Sequence, residues 1–372
     1  MHTPVRAEAV IDLDAIRHNV RLLADLAAAS GAATMVAVKA DGYGHGAVQV
    51  ARAAVDGGAT WLGACSQAEA LTLRAAGLTV PVLAWLDLPT EDRAPGVATG
   101  VDFGVSSVDE LAALVDAADR AGRTARAHLK IDTGMTRNGC APSEWAALLA
   151  ASRRSAVEVV AVWSHLACAD EPGHPSVDEQ AARFDVAYRQ AVDAGFAPLR
   201  HLANSAATLT RPDLHFDLVR PGIACYGLNP VAVAADLRPA MTFHSSVVAA
   251  KRIAAGEAVG YGRTWTAPED TTVALVPVGY ADGVPRSLSG RFDVWLAGRR
   301  RPVVGRVSMD QLVVDCGGDD VPAGEDVVLF GAGAHGEPTA REWADISGTI
   351  DYEIVTGMYR PRVVRSYVGG VD

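Results

Sequence analysis

Lysine is nearly missing from this 372-residue chain: it occurs at positions 39, 130 and 251, and the other 30 of 33 basic residues are arginine. Arginine serves wherever a generic positive charge is enough. It cannot replace an amine that has to lose its proton, because guanidinium stays charged while a buried ammonium changes its pKa. The surviving lysines are therefore informative. Cysteine is also scarce, with five residues at 65, 140, 168, 225 and 316. They are far apart, odd in number and form no C-x-x-C, which excludes a disulfide framework or a zinc site and fits a reduced, cytoplasmic protein. Basic charge is in deficit. The formal net charge is −11, which excludes the clustered cationic face that nucleic acid or an anionic membrane requires. No apolar run approaches the ~18 residues of a membrane span, and the first 21 residues mix charges without the apolar segment of a secretory signal.

What is present is 49% apolar residues, enough for a large core. The length suggests about two or three domains, or a barrel with an appendage. Up to about residue 235, apolar runs alternate with helical patterns. Runs at 34–38, 61–64, 80–86, 101–105, 127–131, 157–163, 199–203 and 216–219 are read as strands. Helices are read at 46–55, 67–76, 108–121 and 178–194, the third from a stripe of Val108, Leu111, Ala112, Val115 and Ala118 that stops at Gly122. Nearly continuous apolar strands separated by helices predict buried parallel pairing, here a (β/α)8 barrel of the TIM type over residues 1–238. After Pro239 short strands sit between Gly, Pro and Asp turns, with one helical pattern at 339–346. Residues 239–372 therefore read as a mostly β domain. Residues 8–13 are a further strand candidate of unassigned membership.

In such barrels reactive groups lie at the carboxyl ends of the strands. This sequence places Lys39 after one apolar run, Lys130 and Arg137 after another, His165 after a third, Asn204 and Ser205 after a fourth, and Arg220 after the last. Glycines at 42, 44, 46 and 222 follow two of these strand ends. Glycine-rich loops at such ends bind phosphate through free backbone N–H groups. A lysine at the mouth of one strand and a phosphate loop nearby suggest a phosphorylated carbonyl cofactor held as a Schiff base, with pyridoxal 5′-phosphate the candidate. No Walker or dinucleotide fingerprint is present.

The segment AVKADGYGHG (37–46) resembles the cofactor-lysine motif of the alanine racemases, pyridoxal-phosphate enzymes of the fold-type III group. The resemblance continues through HLKIDTGMTRNG (128–139), WSHLACADE (163–171), HLANSAAT (201–208), VRPGIACYGLNP (219–230), GYGRTW (260–265), GYADG (279–283), GRVSMDQ (305–311) and TIDYE (349–353). It implies that Lys39 holds the cofactor and acts on one face of the substrate Cα. Tyr261, lent by the second subunit of a homodimer, would act on the other face. It further implies that Arg220 faces the pyridine nitrogen, and that Tyr43, Ser205, Gly222, Ile223 and Tyr352 hold the phosphate. His165 and His201 would lie beside the ring and behind Arg220, with Asn204 next to them. Arg137 and Met309 would meet the substrate, Asp310 would stand beside Met309, and Lys130 would be carbamylated and orient Arg137. The implied activity is racemisation of alanine, supplying D-alanine for peptidoglycan. A racemase of other or broader specificity (serine, lysine) and a non-catalytic pyridoxal-phosphate carrier are the alternative readings. A decarboxylase would carry an acidic residue where this chain has Arg220, and no metal is implied.

Overall fold

The computed structural model describes residues 6–370. Its first strand, β1 (Glu8–Asp12), is followed by eight strands that pair in parallel: β2 (Ala33–Ala37), β3 (Trp61–Ala64), β4 (Val82–Ala84), β5 (Val101–Val105), β6 (Arg126–Lys130), β7 (Glu158–Trp163), β8 (Leu199–His201) and β9 (Leu218–Val219). The order runs from β8 back to β2 and on to β9. Backbone bonds from Asp217 N–H to Arg200 O (3.2 Å) and from Arg220 N–H to Ala203 O (2.8 Å) bring β9 against β8, so the sheet nearly closes on itself as the expected barrel. Phe103 touches Gly96 of the helix outside β5. Strand alternation then turns Asp102 and Gly104 toward the lumen.

The helix at Val108–Ala121 shows how local signals set an element. Ser107 Oγ accepts from Glu110 N–H, and Gly122 ends the helix in the left-handed conformation at φ 62°. Its buried face differs from the stripe expected from sequence. Leu111, Leu114, Ala117 and Ala118 are buried, while Val108 and Ala112 are exposed. Alanine and valine occupy both sides of this helix, so the two leucines, with the larger apolar areas, decide which side turns inward.

The remaining strands are β10 (Met241–Ser246), β11 (Ala249–Ile253), β12 (Ala258–Val259), β13 (Trp265–Thr266), β14 (Thr271–Val276), β15 (Asp293–Leu296), β16 (Arg299–Val304), β17 (Leu312–Gly317), β18 (Asp326–Phe330) and β19 (Val364–Val368). Nine of the strands form one sheet in the order β11-β14-β17-β16-β15-β18-β10-β1-β19, antiparallel except for β1 with β19. Two corrections follow. First, β1 belongs here, so the boundary of 1–238 does not describe the start of the chain. One compact unit comprises residues 15–42 and 46–238. The other takes residues 6–14, Tyr43–His45 and residues 239–370. Second, the single helical pattern expected near the end is two helices, Ala340–Ser347 and Asp351–Gly357. Gly348 at φ 70° breaks them apart.

Candidate active site

Lys39 follows β2, and the chain after it turns the wrong way for L-residues. Ala40, Asp41, Gly42 and Tyr43 have φ of 51°, 51°, 63° and 53°, a left-handed stretch that costs non-glycine residues roughly 1–2 kcal/mol each. Side-chain carboxylates hold it in place. Glu69 accepts from Ala40 N–H at 2.8 Å and from Cys65 N–H at 2.6 Å, while Asp41 accepts from Ala47 N–H at 2.9 Å. Further along, Gly44 has φ 82°, and a Cβ there would lie 2.6 Å from Val355 O. Only glycine fits both constraints. Sequence reasoning gave Glu69 no role, because its function depends on strand neighbours distant in the chain.

Arg220 is buried just beyond β9. It donates to Ser164 O (2.8 Å), to Leu202 O (3.3 Å), to His165 Nδ1 (3.2 Å) and to His201 Nδ1 (3.1 Å), and its guanidinium lies 4.9 Å from the Trp163 ring. All these acceptors are neutral. Burial lowers the guanidinium to about 9, still protonated at neutral pH. Burial, reinforced by Arg220, holds both His165 and His201 far below the usual histidine range, so both rings are neutral. Lys130 is also buried against Trp163, its Nζ 4.4 Å from the ring. Burial together with the charges of Arg220 and Arg137 brings it down to about 8. Arg137 is exposed on the loop after β6. His165 feels Arg220, Lys130, Arg137 and Lys39 together, so four cations from the ends of three strands, β2, β6 and β9, share one electrostatic neighbourhood.

Ser205 opens the helix Ser205–Thr210, which Asn204 caps through its side chain on Ala207 N–H. The Ser205 hydroxyl oxygen accepts from Gly222 N–H (2.8 Å) and Ala224 N–H (3.3 Å), on either side of Ile223. With both lone pairs occupied, its own proton is left to donate outward. The barrel unit thus brings together Lys39, Lys130, Arg137, His165, His201, Asn204, Ser205, Arg220, Gly222 and Ile223.

The other sequence-nominated residues lie in the second unit. Tyr43 and Tyr352 rings pack at 6.2 Å. Tyr261, in a short turn after Gly260, is 72% exposed, and Met309 is 53% exposed. Asp310 beside it is held by Arg362 at 2.6 Å, while Arg6 donates to its backbone carbonyl at 3.0 Å. One more residue that the sequence reading left without a role acquires one. Ser164 offers its carbonyl to Arg220, and its hydroxyl donates to Ile131 O at 2.7 Å.

Family models match both parts of the chain, "Alanine racemase, N-terminal domain" over residues 11–230 and "Alanine racemase, C-terminal domain" over 240–367. The chain belongs to the alanine racemase family. The alanine racemase of Salinispora arenicola is 54% identical over 370 residues, covering 98% of this chain and 99% of that one. The crystal structure of the family member from Streptomyces lavendulae superposes with a TM-score of 0.96 at 47% identity, over 100% of this chain and 99% of that one. The family member from Bartonella henselae, solved with covalently bound pyridoxal phosphate, has a TM-score of 0.88 at 30% identity, over 98% of this chain and 100% of that one.

Proposed function

We propose that this chain racemises alanine with pyridoxal 5′-phosphate attached to Lys39. One observation carries the reading: four cations meet at the barrel strand ends, and the most deeply buried of them, Arg220, has only neutral acceptors among the described residues. With no carboxylate in direct contact with Arg220 among the described residues, such a set favours a bound anion. A phosphorylated aldehyde fits it, with Lys39 for the carbonyl carbon, and Ser205, Gly222, Ile223, Tyr43 and Tyr352 for the phosphate. When bound, the cofactor supplies an electron-withdrawing ring that acidifies the substrate Cα.

The chain's own residues do the rest. Lys39 removes or returns the Cα proton on one face, and Tyr261 of a second copy does so on the other, which makes the working unit a head-to-tail homodimer with two shared sites. Arg220 would hold the ring nitrogen as a donor. It cannot take up a proton there, and this limits charge delocalisation and favours rapid return of the proton over decarboxylation. The neutral His165 and His201 keep further positive charge away from Arg220. Arg137 and Met309 meet the substrate, with Asp310 fixing the Met309 loop. A lysine at about 8 carries enough neutral amine near neutral pH for Lys130 to take up carbon dioxide as a carbamate, which would answer Arg137 with a negative charge. All five cysteines are free thiols, which suits a cytoplasmic enzyme supplying D-alanine for peptidoglycan.

Borohydride reduction of the loaded protein followed by peptide mapping tests the attachment, since only three lysines compete. We expect the label on Lys39 and loss of optical purity from L-alanine. A label on Lys130 or Lys251, or L-alanine left unchanged, overturns the reading.

A further inference from the structure

Among the described residues Arg220 makes no ion pair with a carboxylate, yet its charge is answered at a distance. Its Nη1 donates to His201 Nδ1 at 3.1 Å. His201 Nε2 lies 2.9 Å from His128 Nδ1, and His128 Nε2 lies 3.1 Å from Asp102 Oδ2. The other oxygen of Asp102 accepts from Arg126 Nε at 2.8 Å. Asp102, His128, His201 and Arg220 are all buried in the barrel unit. Trp163 stacks on His201 at 5.5 Å and donates its indole N–H to His128 O at 3.2 Å, while Trp61 meets the His128 ring edge-on at 5.4 Å. The chain of groups is therefore walled off from water by aromatic rings.

The two ends fix every proton between them. A guanidinium only donates and an ionised carboxylate only accepts. Burial pushes the Asp102 carboxyl up, but hydrogen bonds from His128 and Arg126 and the charge of Arg126 outweigh it and hold it below the ordinary value. His201 must then receive on Nδ1 and donate from Nε2, and His128 must receive on Nδ1 and donate from Nε2 to Asp102. No other placement gives each contact one donor and one acceptor. Hydrogen bonds aligned in one direction polarise each other, most strongly where water is excluded.

We propose that Asp102 and His128 are positioning residues for Arg220. They present a carboxylate's charge to the guanidinium through two imidazoles, which keeps it a fixed, charged donor without placing an anion on the edge that a ligand needs. A carboxylate in direct contact would occupy that edge. The link to catalysis rests on the function proposed above, whereas the proton arrangement stands on the geometry alone.

The test separates the two. In cofactor-free protein labelled with 15N-histidine, ring-nitrogen resonances report the tautomers, and His128 and His201 should both carry their proton on Nε2. His128→Leu removes the acceptor for His201 and the donor for Asp102. His128→Gln restores an adjacent acceptor and donor. We expect His128→Leu to lower kcat by about ten- to a hundredfold, the usual range for losing an outer partner of a reacting group, with little change in KM, and to shift the His201 Nε2 proton resonance. His128→Gln should recover most of both. A proton on Nδ1 of His128 in the cofactor-free protein, or a His128→Leu variant with unaltered kcat, overturns the proposal. If the unmodified enzyme fails to racemise alanine, the functional reading falls while the tautomers still judge the relay.

Discussion

The barrel's strand ends and the C-terminal unit hold their functional side chains in opposite ways. In the barrel, Arg220, Lys130 and His201 are buried, hydrogen-bonded or stacked, and shifted in pKa by their surroundings. In the other unit, Tyr261 and Met309 stand in solvent on short turns. Buried polar groups are set by packing within one chain, whereas an exposed phenol gains a defined partner only by association. On the proposed function, the contrast means that half of the site is built by folding and the other half waits for assembly.

Tyr261→Phe attacks the contrast most strongly. Removing one acid/base should lower kcat by about 10²–10⁴-fold. Because the side chain is exposed, stability should move by less than about 0.5 kcal/mol. Mixing Tyr261→Phe with Lys39→Ala sharpens the point. In a shared-site dimer the mixed species carries one doubly altered site and one intact site, so two inactive proteins should regain activity on exchange of subunits. A mixture that stays inactive after verified exchange would show that Lys39 and Tyr261 do not come from different chains.

Much of this was legible in the sequence because barrel chemistry sits where apolar runs end. Lys39, His165, Ser205 and Arg220 each follow a strand whose limits differ from the expected ones by a few residues. The C-terminal unit was harder to read. The helix Asp351–Gly357 carrying Tyr352 was absorbed into a motif, and β1 gave no hint that its partners would be β10 and β19, more than 200 residues away. Asp102 and His128 escaped notice for a different reason. Asp102 is a single polar residue in an apolar strand, His128 lies between Arg126 and Lys130 in the next, and sequence cannot show that the two face the same lumen.

Acidification should also separate the regions. Burial holds His201 well below 6.5 in the folded barrel, so below about 6.5 the unfolded chain binds a proton that the fold refuses. The barrel's stability is then complete above that pH and falls as pH drops toward the folded pKa, by at most about 1.4 kcal/mol per pH unit for each such group. In the second unit His244 lies between Glu8 (3.0 Å) and Asp326 (2.9 Å). Burial opposes its charge, but the two carboxylates prevail and its pKa is raised. Its contribution has the reverse sign, present at low pH and lost as pH rises through the folded pKa. Thermal unfolding between pH 5 and 8 should therefore show a shallower acid decline for His201→Gln and a steeper one for His244→Gln. Equal slopes in both variants would remove the distinction.

The smallest expected effect concerns the turns that carry the two residues proposed to react. Ala40, directly after Lys39, has φ 51°, and Arg263, two residues after Tyr261, has φ 48°. Glycine adopts this conformation without penalty but gives the unfolded chain more freedom, by roughly 0.4–1 kcal/mol. If the left-handed stretch carries the strain its angles imply, Ala40→Gly should leave stability level or raise it by up to about 1 kcal/mol. Ala112→Gly, on the exposed side of an ordinary helix, should lower it by about 1 kcal/mol. Urea unfolding of the two variants measures the difference. Arg263→Gly extends the test to the second unit, where Gly260 and Gly262 at φ 70° and 72° already flank the turn and relief should again offset the lost rigidity. The variants should part in activity. Ala40 is tied by its N–H to Glu69, so loosening it frees the lysine from a carboxylate-held turn. Ala40→Gly should then lower kcat while stability stays level, and an Ala40→Gly enzyme as destabilised as Ala112→Gly would mean that the turn after Lys39 stores no strain.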